Sequence, residues 1–161
     1  MRQIWALVLA VLMAGCGTVP TSTPAEDVRM EENTTQTTMD KEQTAMKMNV
    51  QVGEKTFTAT LEENQAVAEL AEMMEEGPVT LHLDDYSGFE KVGPLGRNLT
   101  TSNSQTTTAA GDIVLYNGNQ IVMFYGSNSW SYTPIGRIDD LTGWADALGH
   151  GSVTVTLTLA D

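Results

Sequence analysis

Near its C-terminus the chain runs Val153-Thr154-Val155-Thr156-Leu157-Thr158-Leu159, an unbroken alternation of apolar and hydroxyl side chains. A period of two belongs to a β-strand with one face buried and the other wet. The same alternation appears in Met48–Val52 and in Thr56–Leu61, separated by Gly53-Glu54-Lys55, and the pair reads as a β-hairpin. A second hairpin is predicted where Asn117-Gly118 joins Ile113–Tyr116 to Gln120–Tyr125, because that dipeptide suits the tight turn between two strands. Val79–Leu83 is a further strand, as is Tyr132–Ile138, broken by Pro134.

Helical spacing is rare in this chain. Asn64 is placed to cap a helix whose apolar residues Ala66, Val67, Leu70, Ala71, Met73 and Met74 share one face, and Gly77-Pro78 ends it. A short helix is predicted near Leu141–Leu148. Asp84 to Ala110, with Gly88, Gly93-Pro94, Gly96 and a polar run from Thr100 to Thr108, reads as loop. Mostly antiparallel strands with few helices imply a mainly β fold, a barrel or a sandwich. A closed barrel also removes the exposed edges that Thr- and Val-rich strands would present.

The 161 residues suit one folded domain. The N-terminus has a different task. Met1-Arg2-Gln3 precedes an apolar run from Ile4 to Met13, then Ala14-Gly15-Cys16-Gly17. A positive start, an apolar core and small residues before a cut describe a secretory signal peptide, and the run is shorter than the roughly 20 residues of a membrane span. With Cys16 at the cut, residues 1–15 resemble a bacterial lipoprotein signal, although Met13 holds the usual Leu position and Leu12 lies one place early. The resemblance implies diacylation of Cys16 and an extracytoplasmic domain on the cell or outer membrane. Residues 16–46 then form the lipidated cysteine and a Thr-rich tether. This stretch has no aromatic residue and too little apolar surface to offset its ordering entropy. Thirty such residues span about 30 Å. The folded domain is expected over 47–161.

The formal net charge is -13, and cleavage would remove Arg2, the one charge in Met1–Gly15, leaving -14. That balance argues against nucleic acid as partner and offers anionic lipid no basic patch, so the membrane is expected as a partner through the lipid alone. One cysteine allows no internal disulfide. His82 and His150 lack chelating spacing, so no metal site is expected, nor any other cofactor.

Three segments carry a family resemblance: Gly111-Asp112-Ile113-Val114-Leu115-Tyr116, Ile121-Val122-Met123-Phe124-Tyr125-Gly126, and Tyr132-Thr133-Pro134-Ile135-Gly136-Arg137-Ile138-Asp139 before a helix ending at Leu148-Gly149. In this order and spacing, residues from about Met48 to Leu159 resemble bacterial cyclophilin-like domains. The resemblance implies a closed β-barrel of about eight strands with one or two capping helices. The prolyl isomerase activity of true cyclophilins rests on an arginine in a Phe-His-Arg segment, and Leu81 to Leu99 has no such segment. Arg97 is the arginine nearby and the weak candidate for a catalytic group. Tyr86, Arg97, Phe124, Trp130 and Tyr132 are the candidates for lining a ligand groove. The expected function is a non-catalytic module that binds a peptide or small ligand; the alternative is a peptidyl-prolyl isomerase acting on exported proteins.

Overall fold

The computed structural model describes residues 45–161; Cys16, the predicted signal peptide and nearly all of the predicted tether lie outside them. The described residues form β1 (Lys47–Val52), β2 (Lys55–Leu61), α1 (Gln65–Glu76), β3 (Val79–Tyr86), β4 (Glu90–Pro94), β5 (Ser104–Thr107), β6 (Asp112–Tyr116), β7 (Gln120–Phe124), β8 (Ser129–Ile138), α2 (Trp144–Leu148) and β9 (Val153–Leu159). The β6–β7 turn holds Asn117 at φ 50° and Gly118 at φ 76°. Tyr116 pairs with Gln120, so the loop is Asn117, Gly118 and Asn119, and the Asn119 N–H donates back to the Tyr116 carbonyl at 3.3 Å; the two positive φ values match the twist of the flanking strands. Ser87 and Gly88, at φ 52° and 75°, make the same kind of turn between β3 and β4.

All strand pairings are antiparallel. Eight strands follow one another as β2-β1-β9-β3-β4-β7-β6-β8, and a β2–β8 pairing closes them into a barrel. At that seam Leu61 lies opposite Gly136. A Cβ on Gly136 would fall 2.5 Å from the carbonyl oxygen of Thr60, so the close approach of the two backbones requires glycine. The remaining strand, β5, lies outside the ring and pairs with Ser129–Tyr132 of β8.

The period-two pattern now has its cause. Met48, Val50, Ala59, Leu81, Leu83, Ile113, Leu115, Ile121, Met123, Val155 and Leu157 are buried in one cluster, the barrel core. Helix α1 adds Ala66, Val67, Leu70 and Met74 to the same cluster, the face read from its spacing. Its cap, Asn64, accepts from the Val67 N–H at 3.0 Å and donates to the Pro134 carbonyl at 2.7 Å, tying the helix start to β8.

The structure corrects three local expectations. The stretch read as loop contains β4 and β5; its glycines and Pro94 mark turns and close approaches rather than the absence of strand. Gly93 is an example, since a Cβ there would meet the His82 carbonyl oxygen at 2.1 Å. Strand β8 begins at Ser129, before Tyr132, and Pro134 does not break it. Val114 pairs with Pro134 while the adjacent Ile113 pairs with Gly136, and such a bulge accommodates a residue without an N–H. The second helix is limited to Trp144–Leu148.

Candidate functional site

Strand register decides which side chains meet on the barrel's outer face. Residues directly opposite one another across paired strands share a face. Glu90 lies opposite Tyr86 on one side and Phe124 on the other, so these three form one row. Val92, Val122 and Val114 form the next row on that face. Between them lies the row of Lys91, Met123 and Ile113, whose two apolar members belong to the barrel core. The Glu90 row therefore faces outward.

An outward sheet face would normally be polar, yet here Val114, Val122, Phe124 and Tyr132 form a second buried cluster, with Phe89, Val92 and Tyr116 packed against it. The pairing of β5 with the first half of β8 positions the cover. Trp130 pairs with Thr106 and Tyr132 with Ser104. The result is a cleft of about 390 Å³ lined by Tyr86, Glu90, Val92, Tyr116, Val122, Asn128, Trp130 and Tyr132. That volume falls within the range of small-molecule sites.

The rings sit in fixed relation. Tyr132 meets Phe124 edge to face at a centroid distance of 5.8 Å, and Tyr116 at 6.1 Å. Its hydroxyl accepts from the Asn128 side-chain amide at 3.0 Å, and the Asn128 backbone is held by Thr108, whose N–H donates to the Asn128 carbonyl at 2.8 Å. Tyr86 stacks edge-on against Phe89 at 6.1 Å. Tyr86 and Trp130 remain 58% and 56% exposed, which makes them the accessible rim of an otherwise buried aromatic floor.

Glu90 is the anomaly in this lining. It is 6% exposed and its Oε2 has no hydrogen-bond partner. A buried carboxyl without a partner is costly when charged. Burial accordingly pushes its pKa from 4.5 up to about 7. Burial, then the charge of Glu90, raises the Tyr132 phenol as well.

This shift has a sign that can be measured. Between pH 4.5 and about 7 the unfolded chain has released the Glu90 proton and the folded chain retains it. Stability therefore falls as pH rises through that window and levels off above it. The effect amounts to roughly 2 kcal/mol once solvent at the cleft mouth is allowed for. Glu90→Gln should be more stable than the parent at about pH 8 and lack this slope. Urea unfolding of both proteins across the window measures it, and parallel curves would contradict the assignment.

The sequence-predicted candidates distribute as follows. Tyr86, Trp130 and Tyr132 line the cleft. Phe124 lies beneath it, fully buried, as packing for Tyr132. Arg97 is elsewhere, in surface hollows with Leu99 and Thr100 on one side and Met73 and Leu95 on the other. There Glu69 accepts from the Thr100 N–H and hydroxyl, both at 2.7 Å, and these bonds with the charge of Arg97 hold its carboxyl below the ordinary range. Cys16 lies outside the described residues. Sequence reasoning missed Glu90, Tyr116 and Asn128. The available signal for Glu90 was Phe89-Glu90-Lys91-Val92 following the Ser87-Gly88 turn, a hairpin pattern with a carboxylate between apolar residues.

A larger hollow of about 660 Å³ runs between Lys47, Lys55, Phe57, Asp139 and Thr142. Two of its charges are paired, Lys47 donating to Asp139 at 2.6 Å, and Thr60 donates to the other Asp139 oxygen at 2.6 Å. Arg137 lies 3.6 Å from Asp112. Among the described residues no three His, Cys, Asp or Glu side chains converge as metal ligands.

The model of the cyclophilin-like family matches residues 50–158. The solution structure of the hypothetical protein AF2241 from Archaeoglobus fulgidus is similar in fold, with a TM-score of 0.51 and 15% identity over 76% of this chain and 100% of that one. No curated protein matches the chain.

Proposed function

The chain belongs to the cyclophilin-like family, and on that premise we propose that it is a non-catalytic binding module which holds a peptide segment or small ligand in the cleft over Glu90. The observation that supports this reading is the lining itself. Five of its residues are Tyr86, Tyr116, Trp130, Tyr132 and Asn128, groups that bind by stacking and hydrogen bonding. Turning an X–Pro amide is different chemistry. It faces a barrier of about 18–20 kcal/mol, and lowering it requires donors preorganised around the twisted carbonyl. Arg97, the candidate for that role, is not in the cleft, and the lining contains no arginine, lysine or histidine.

The N-terminal sequence supports the remainder of the proposal. Diacylation at Cys16 anchors the chain, and the Thr-rich tether holds the barrel off an extracytoplasmic membrane surface. Two acyl chains hold stably where one does not, and the acidic chain adds no electrostatic attraction to the membrane.

One set of measurements on the full chain tests both parts. Metabolic labelling with palmitate should mark the wild type and not Cys16→Ser; equal labelling would remove the anchor. Micromolar protein should leave the cis–trans rate of a proline peptide unchanged. Turnover that is lost in Arg97→Ala or Trp130→Ala would replace the binding module with an isomerase.

A further inference from the structure

We propose that the cleft recognises an alkylammonium cation, seated between Trp130 and the tyrosines with its charge against the Glu90 carboxylate. This deepens the binding-module reading and rests on it.

Two independent features point to a cation. The first is ring geometry. Trp130 and Tyr86 form the exposed rim, while Tyr116 and Tyr132 are set at 69° to each other with centroids 6.1 Å apart. A cation seated over the face of an electron-rich ring is attracted by the ring quadrupole, Trp most strongly. The second is Glu90, a nine-tenths buried carboxyl whose Oε2 is unpartnered and which lines the same cleft. An apolar ligand would leave that oxygen unsatisfied, and an anionic ligand would be repelled by it. A cation carrying N–H or polarised N–CH₃ groups satisfies it and is stabilised by the rings. No basic side chain lines the cleft to compete for the carboxylate, and the chain's net charge of -13 favours approach of a cation.

The neighbouring lysine does not compensate Glu90. Lys91 points to the other face of β4, where it donates to Asp85 at 2.8 Å and to the Gly151 carbonyl at 2.7 Å. The other titratable groups facing Glu90 are phenols, Tyr86 from β3, Tyr116 from β6 and Tyr132 from β8. Burial, then the charge of Glu90, pushes the Tyr132 phenol above its ordinary value. Glu90, raised by burial to about 7, changes charge near neutrality, and cation binding should be coupled to loss of its proton.

The test uses the full chain with choline and its uncharged isostere 3,3-dimethylbutan-1-ol, followed by the Trp130 indole N–H resonance. Choline should bind about tenfold or more tighter than the isostere at about pH 8. Its affinity should fall about tenfold or more by about pH 5.5, as Glu90 takes up its proton. Glu90→Gln should lose both differences. Trp130→Ala lacks the reporting resonance and is followed instead by thermal unfolding, where choline should no longer raise the melting temperature of a fold that is retained. Nα-acetyl-lysine methylamide forms a second arm. If it binds tighter than choline the source of the cation is a lysine side chain on a peptide; if weaker, a free quaternary ammonium. Equal binding of choline and the isostere overturns the cation and leaves the binding module standing. Failure of both, together with failure of neutral peptides to move the Trp130 resonance, overturns both readings.

Discussion

Replacing Trp144 with alanine is expected to cost about 3–5 kcal/mol of folding stability, as truncation of a fully buried large aromatic does. Trp144 is 1% exposed and meets the Phe57 ring edge to face at 5.0 Å. Its indole N–H donates to the Phe124 carbonyl at 2.9 Å. It starts α2, five residues that are too short to hold as a helix alone. Trp144 and Leu148 fix that helix by burial, so the cavity left by truncation would also release the segment. Urea unfolding measures the cost. Trp144→Phe should recover part of it, lacking the donor; a loss below about 1 kcal/mol for alanine would contradict the role assigned to this residue.

Lys91→Ala is expected to be nearly as damaging, at about 3 kcal/mol. Its side chain is fully buried, yet its ammonium is engaged by Asp85 and the Gly151 carbonyl and lies 5.5 Å from the centre of the Tyr125 ring. The Tyr125 hydroxyl donates to the same Asp85 oxygen. Removing the ammonium strips a partner from Asp85 and from a carbonyl at once, and also removes the packing of the buried stem. Lys91→Met, which keeps the stem, should recover part of the loss. Hydrogen bonds from Lys91 and Tyr125 hold the Asp85 carboxyl below its ordinary 3.8. The stability this confers is present above that pH and is lost as pH falls below it, a loss that should shrink in Lys91→Met. Because Lys91 and Glu90 face opposite sides of β4, ligand binding in the cleft should survive Lys91→Met. Thermal unfolding with and without choline measures both effects.

The two adjacent residues explain why the site was harder to read than the fold. The barrel was legible because its core obeys a strict period of two, and because Asn117-Gly118 and Asn64 announce a turn and a cap through local chemistry. The strand β4 breaks that pattern. It is buried on both faces, with an unpartnered carboxyl outward and a paired lysine inward, so Glu90-Lys91 resembles a solvated loop in sequence. The aromatic candidates Tyr86, Trp130 and Tyr132 were visible as residue types. Their convergence depends on β5 drawing off the first half of β8, a long-range pairing that Ser104-Gln105-Thr106-Thr107 does not advertise. Phe124 and Arg97 have the side-chain chemistry of a groove, but register places Phe124 beneath the cleft and a Gly-rich turn carries Arg97 to the side of α1.

The central claim, that the cleft over Glu90 binds without turning prolines, can be tested in one NMR sample. It would contain the full chain with a short acetylated peptide bearing one lysine and one proline. The peptide should move the Trp130 indole resonance and leave that of Trp144 in place, with no increase in cis–trans exchange of its proline bond. Unmoved Trp130, or exchange accelerated at substoichiometric protein, would contradict it.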